Sequence, residues 1–162
     1  MKLKTATQPP AHVSWGIVSS PAGKLAIALT EKGEICRLSF LSANRRADIL
    51  AAWQAAWPET KFAKAAPIKN IATKPILLTG TAFQQKVWRA MTKIPAGKAI
   101  TYKEMAHRIG NPAAIRAVGG ACGANPVPYL VPCHRVVAAN GLGGYSGGPG
   151  VKEKLLKAEG YL

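Results

Sequence analysis

Cys133 and His134 stand side by side in the run Asn125-Pro126-Val127-Pro128-Tyr129-Leu130-Val131-Pro132-Cys133-His134-Arg135-Val136-Val137. A thiol attacks carbon only as its thiolate, and a neighbouring imidazole and a cation such as Arg135 favour that form. Proline fixes φ and removes an amide donor, so Pro126, Pro128 and Pro132 make the approach to Cys133 an extended, rigid loop that presents the sulfur in one place. The competing reading is a buried structural cysteine, the commoner fate of a free thiol. The rigid approach and the adjacent His and Arg favour chemistry. Glu159 completes the parts of a nucleophile, base and orienter trio, although adjacency in sequence does not make Cys133 and His134 touch. Glu159 also ends a predicted helix, where a carboxylate faces the negative end of the dipole, so another group is expected to hold it.

Elements that would position these residues are legible along the chain. Residues 1 to 12, with Lys2, Lys4 and Pro9-Pro10, show little periodicity and read as a loose lead-in. Three β-prone runs, Val13 to Val18, Lys24 to Leu29 and Ile35 to Phe40, are separated by turns at Pro21-Ala22-Gly23 and Glu31-Lys32-Gly33, which predicts an antiparallel meander. Residues 45 to 57 repeat Ile49, Leu50, Trp53 and Trp57 at helical spacing, and their tryptophans read as core. The stretch 58 to 80, with Pro58, Pro67 and Pro75, is a connecting segment holding one short strand at Ile76 to Leu78.

The second half is helical. Thr81 with Gln84, and Thr101 with Glu104, are capping-box patterns. The first starts a helix with Phe83, Val87 and Met91 on one face, ended by Ile94-Pro95-Ala96-Gly97. The second starts a helix to about Ile109 with Met105, Ala106 and Ile109 inward. Gly110 stops it, Asn111 caps the next, and Pro112 suits a first helical position. Two helices on so short a turn read as a helix-turn-helix. The second, 112 to 122, has Arg116 as its only charged side chain among Ala113, Ala114, Ala117, Gly119, Gly120 and Ala121. Such a helix either approaches DNA closely without reading its sequence or packs its small face on another helix. Six glycines between Ala138 and Gly150 predict a flexible loop carrying Tyr145 and Ser146. A closing helix follows, with Val151, Leu155 and Leu156 on one face and Glu153 four residues ahead of Lys157.

Among 162 residues, 22 Lys and Arg oppose 7 Asp and Glu, a formal charge of +15. The excess is divided evenly between the halves, so no basic tail carries it, and a polyanionic partner bound through phosphates is expected. No apolar run is long enough to span a membrane and no signal peptide opens the chain. Three cysteines without a CxxC spacing predict a reduced, cytoplasmic setting. His12 and Cys36 lie in one half and His107, Cys122, Cys133 and His134 in the other, so neither a metal nor another cofactor is expected.

The proline-cysteine run, together with Gly80-Thr81-Ala82-Phe83-Gln84-Gln85-Lys86-Val87-Trp88, Tyr102, Arg116-Ala117-Val118-Gly119-Gly120-Ala121 and Gly144-Tyr145-Ser146-Gly147-Gly148, resembles the O6-alkylguanine-DNA alkyltransferases in order and content. The resemblance covers 80 to 160 almost continuously and the first 79 residues loosely. It implies an α+β chain in two parts: residues 1–79, a ribonuclease-H-like sheet plus helix with a linker, and residues 80–162, a helical DNA-binding and alkyl-transfer domain. It implies single-turnover transfer from O6-alkylguanine, and possibly from O4-alkylthymine, in flipped-out duplex DNA to Cys133, by a monomer without obligate protein partner or membrane. In that reading Glu159 fixes the His134 tautomer and His134 takes the thiol proton. Tyr102, otherwise a buried core tyrosine, gives a proton or hydrogen bond to the guanine ring. Asn125, otherwise a turn asparagine, ties the cysteine turn to the preceding helix. Tyr145, Ser146, Pro128 and the Val136 carbonyl bound the base. Arg116 enters the vacated stack, with Ala114, Ala117, Gly119 and Arg135 also facing DNA. The rivals are a lesion binder that transfers nothing, a helix-turn-helix regulator and a cysteine hydrolase.

Overall fold

The computed structural model describes residues 1–21, 23–41, 46–65 and 67–162. Ala22 of the first predicted turn, Arg45 at the predicted helix start and Ala66 of the predicted connecting segment lie outside the described residues. The chain divides into two compact units, Met1–Gly80 and Thr81–Leu162.

The first unit is built on the predicted meander: β2 (His12–Ser20), β3 (Gly23–Thr30) and β4 (Ile35–Phe40) pair antiparallel, with Trp15 opposite Ala28 and Ile27 opposite Leu38. Two sequence expectations fail here. The supposed lead-in contains β1 (Leu3–Ala6), and the supposed connecting segment contains β5 (Lys61–Lys64) as well as β6 (Ile76–Thr79). These short strands run parallel to their partners, β1 beside β6 and β5 beside β2, making a six-stranded mixed sheet ordered β1-β6-β4-β3-β2-β5. Four residues are too few to show a period, and parallel partners come from distant segments, so their backbone pairing left no local trace.

Helix α1 (Arg46–Ala56) buries Ile49 and Trp53 in a cluster with Val13, Trp15, Ala26, Ala28 and Trp57. These tryptophans are core, and the Trp53 indole N–H donates to Ser39 Oγ at 3.0 Å, satisfying its one polar atom.

The second unit starts at the first capping box. The Gln84 amide donates to Thr81 Oγ1 (3.2 Å), the Thr81 amide donates to Gln84 Oε1 (2.9 Å), and α2 (Ala82–Met91) follows, burying Val87, Trp88 and Met91. The Trp88 indole donates to the Ala121 carbonyl at 2.8 Å and so ties α2 to α4 (Ile115–Gly123).

The second capping box opens α3 (Tyr102–Arg108). There the Glu104 amide reaches Thr101 Oγ1 at 3.1 Å, and the Thr101 amide reaches Glu104 Oε2 at 2.6 Å. Just before it, β7 (Ile100–Thr101) pairs in parallel with β8 (Val136–Val137), Ile100 opposite Val136 and Thr101 opposite Val137. Tyr102 is thereby brought beside the residues that follow Cys133.

Helix α3 ends as its glycine predicts. Gly110 has φ +75°, its amide donates to the His107 carbonyl and the Asn111 amide donates to that of Ala106, a paired closure of the last turn. The start of α4 differs from expectation. The Asn111 carbonyl accepts from the Ala114 amide at 3.0 Å, so Asn111 and Pro112 belong to a turn, and the helix begins three residues after Pro112, with Ala114 at its cap. Closing helix α5 (Val151–Ala158) buries Val151, Lys152, Leu155 and Leu156, and Lys157 meets Glu153 at 2.7 Å. Among the described residues no helix is long and apolar enough to cross a membrane.

Thr101→Ala removes the oxygen that caps α3 immediately ahead of Tyr102. Urea unfolding is expected to show a loss of about 1 kcal/mol, the usual worth of such a cap.

Candidate active site

The approach to Cys133 is rigid for reasons beyond its prolines. Asn125 folds the loop on itself: its side-chain amide donates to the Val131 carbonyl (2.8 Å) while its side-chain carbonyl accepts from the Val127 amide (3.0 Å). The Val131 amide closes onto the Val127 carbonyl, and between them Tyr129 takes φ +78°, a left-handed conformation that a non-glycine residue rarely holds. Asn125, Val127 and Pro128 are buried, so these bonds are shielded from water. Cys133, His134 and Arg135 then make one tight helical turn that leads into β8.

That turn aims its side chains in different directions. His134 is fully buried, with Nε2 2.8 Å from Glu159 Oε1. Arg135 meets the same carboxylate as a fork, Nε to Oε2 at 2.9 Å and a terminal nitrogen to Oε1 at 2.8 Å, and its other terminal nitrogen donates to the Ile94 carbonyl at 2.6 Å. Here is the group that holds Glu159 at the end of α5. It also corrects the sequence reading of Arg135, whose guanidinium is committed to Glu159 and Ile94 and so is not presented to DNA.

Burial pushes the Glu159 carboxyl up, but the Arg135 and His134 hydrogen bonds outweigh it and leave the group below its ordinary value. Burial lowers His134 despite the opposing pull of Glu159. A neutral imidazole that donates Nε2–H to Glu159 has Nδ1 as an acceptor, and that atom is buried with no partner among the described residues.

The Cys133 sulfur lies in the wall of a cavity of about 290 Å³ lined by Tyr102, Tyr145, Ser146 and Gly144 and, from α4, by Gly119, Cys122 and Gly123. Cys133 is only 4% exposed, and burial pushes its thiol up to about 11, against the Asn125 hydrogen bond and the charge of Lys152. The expectation of a thiolate favoured by His134 and Arg135 is therefore overturned for the free protein: the resting group is the thiol, and the cation that favours its ionisation is Lys152.

Tyr102 is half-buried and kept protonated by burial and by the nearby Cys122 and Cys133. Burial likewise keeps the Tyr145 hydroxyl protonated, and the Tyr145 ring stands edge-on to His134 at 6.4 Å. The glycine loop is packed where it meets Tyr102. Gly143 has φ +73°, and a Cβ there would sit 3.1 Å from the Tyr102 hydroxyl.

Cys133, Tyr102, Tyr145, Ser146 and Gly119 thus converge. Pro128 and Val136, expected against the substrate, are not among the lining residues, and the Val136 carbonyl already accepts from Lys152 at 2.6 Å. On α4, Arg116 and Ala117 are exposed, Ala114 is half-buried, and Val118 and Ala121 face inward. Lys152 and Cys122 were not read as site residues from sequence. Lys152 had a signal, a lysine four residues before Leu156 on the apolar face of its helix. Among the described residues no three His, Cys, Asp or Glu side chains gather as metal ligands.

A family model described as 6-O-methylguanine DNA methyltransferase, DNA binding domain, matches residues 82–161. The methylated-DNA–protein-cysteine methyltransferase of Methanosarcina barkeri is 39% identical over 155 residues, 90% of this chain and 96% of that protein. The crystal structure of the Mycobacterium tuberculosis O6-methylguanine methyltransferase is 33% identical with a TM-score of 0.70, covering 91% of this chain and 93% of that one. A second structure from M. tuberculosis, a complex with DNA, is 35% identical with a TM-score of 0.65 and 92% coverage of both chains.

Gly97 packs against the backbone of Glu159. It has φ +74°, and a Cβ there would lie 2.9 Å from the Glu159 carbonyl. Gly97→Ala is expected to cost at least about 1–2 kcal/mol from the left-handed backbone alone, read by urea unfolding. The same substitution shifts the His134 ring signals in an NMR spectrum, because Glu159 has to move.

Proposed function

Because the chain belongs to the 6-O-methylguanine DNA methyltransferase family, we propose that it repairs O6-alkylguanine in DNA by moving the alkyl group, once and irreversibly, to Cys133. The observation that carries this reading is a cysteine in the wall of a base-sized cavity, next in sequence to a neutral imidazole held by a carboxylate. In the transfer a bond forms between Cys133 Sγ and the alkyl carbon while the bond from that carbon to O6 breaks, its electron pair leaving with the oxygen. The thiol proton passes to His134 Nδ1, directly or through a water, and guanine gains a proton from Tyr102, the protonated phenol of the cavity. The product thioether has no good leaving group, so each molecule acts once.

The remaining roles follow from where side chains stand. Glu159 fixes the His134 tautomer. Asn125 stiffens the turn and donates to the sulfur. Tyr145 and Ser146 bound the base, and the small face of α4 at Gly119 and Gly123 leaves room for it. A base inside a duplex must leave the stack, which costs a few kcal/mol. Arg116, exposed in the first turn of α4, enters the space left behind, and Ala114 and Ala117 let the backbone come near.

In this reading α3 and α4 form a helix-turn-helix and residues 81–162 are the DNA-binding and transfer domain. The first unit is the ribonuclease-H-like part, a reading supported by its antiparallel meander with parallel strands on either side.

The deciding experiment is the intact mass of the protein after incubation with duplex DNA containing O6-methylguanine. One added methyl group, located on Cys133, is expected, with Cys133→Ala binding DNA and gaining nothing. Binding without mass gain would make the protein a lesion binder, and repeated turnover of an unmodified chain would make it a hydrolase.

Glu159→Gln is expected to slow single-turnover transfer by about 10²- to 10⁴-fold, the usual worth of a positioned base. Protonation of His134 removes the acceptor. Its pKa lies below the ordinary value of 6.5, so the rate should hold through neutral pH and fall only at acid pH.

A further inference from the structure

Lys152 has no task in the transfer just described, yet it is buried behind the site, bonded to the carbonyls of Val136, which follows the cysteine turn, and of Gly144 in the cavity wall. It is 4% exposed, on the buried face of α5 beside Val151, Leu155 and Leu156. Burying an ammonium costs several kcal/mol unless it is well paired, and an apolar side chain would fill the same place without that cost.

Its partners are all neutral. Nζ donates to the Val136 carbonyl at 2.6 Å and to the Gly144 carbonyl at 3.2 Å, and it lies 5.9 Å from the centre of the Tyr102 ring. The acidic side chains of this unit are engaged elsewhere: Glu104 caps α3, Glu153 pairs with Lys157, and Glu159 holds His134 and Arg135. An ammonium has three donors, and two carbonyls take two of them. Among the described residues, therefore, the buried cation has no carboxylate beside it. The groups whose negative charge it feels are Cys133 and Cys122, which line the cavity together with Gly144, to which it is bonded, and with the protonated Tyr102 and Tyr145.

Resting on the alkyl-transfer reading, we propose that Lys152 is the built-in counter-charge for the Cys133 thiolate, and that its bonds to Val136 and Gly144 hold the glycine loop against β8 so that the charge stays in place. Two carbonyl dipoles and a ring face keep the ammonium charged while the thiol is neutral. When the thiol loses its proton to His134, the cation gains the partner it lacked. The influence is mutual: burial lowers the Lys152 ammonium and Cys133 and Cys122 draw it back upward, while burial raises the Cys133 thiol and Lys152 draws it back downward. This is an electrostatic and positioning role, since Lys152 touches none of the reacting atoms.

Alkylation of Cys133 by iodoacetamide tests the proposal without DNA, read by peptide mass so that Cys36 and Cys122 are counted separately. Lys152→Gln keeps a donor for the carbonyls and removes the charge, while Lys152→Arg keeps the charge. With Gln, the rate at neutral pH is expected to fall about tenfold, corresponding to about one unit of upward displacement in the pH profile. The difference closes at high pH, and Arg restores most of the rate. A Gln profile that superimposes on the parent, or a loss equal at every pH, overturns the inference.

Should the Gln protein not fold, the parent decides by NMR titration of the Lys152 ammonium before and after Cys133 is capped with iodoacetamide. Capping is expected to lower the ammonium pKa, and an unchanged titration overturns the proposal. A parent that takes a methyl group from DNA but shows no dependence on Lys152 loses this inference alone. A parent that takes none loses the reading beneath it.

Discussion

The carboxylate of Glu159 is the point on which the site depends. It belongs to the residue that caps the C-terminal end of α5, where exposed carbonyls repel negative charge, and it is kept there by two residues of the cysteine turn. Arg135 grips both oxygens, and His134 takes one of them. Planar, two-pronged pairing of this kind fixes orientation as well as supplying energy. Through it the closing helix, the cysteine turn and, by way of the Ile94 carbonyl, the end of α2 share one junction. The imidazole owes its ring orientation to that junction, because its own position in sequence fixes only the backbone.

The thiol illustrates a balance rather than a single cause. Excluding water strengthens every charge interaction in the cavity, but it also penalises the anion that the chemistry needs. In the free protein the penalty is larger, and Cys133 rests as the thiol. A neutral sulfur is less open to adventitious oxidation and metal capture than a standing thiolate, a sensible resting state for a residue used once.

Local signals were readable and distant ones were not. The capping boxes at Thr81 and Thr101 were legible because a cap involves residues three apart, and Gly110 because a left-handed helix end tolerates little else. The meander was readable because hairpin partners are neighbours in sequence. Strands β1 and β5 escaped because each pairs with a segment from another part of the chain and is too short to alternate visibly. Asn111-Pro112 carries a helix-start pattern, but Asn111 contributes its backbone carbonyl to a turn and the helix waits for Ile115. In the site, the types of Cys133, His134, Glu159 and Tyr102 were evident, while the aim of Arg135 was not. Its neighbours in sequence are His134 and Val136, and its partner in space lies 24 residues away. Lys152 was hidden by its type, since lysine on a helix is ordinarily solvated.

The two-residue ladder between β7 and β8 has a consequence for anyone reshaping this pocket. Its register joins the strand that leads into Tyr102 to the strand that follows the cysteine turn, so a backbone shift on one side is passed to the other. Room for bulkier adducts is found instead along α4, where Gly119 and Gly123 line the cavity and leave open space next to their backbones.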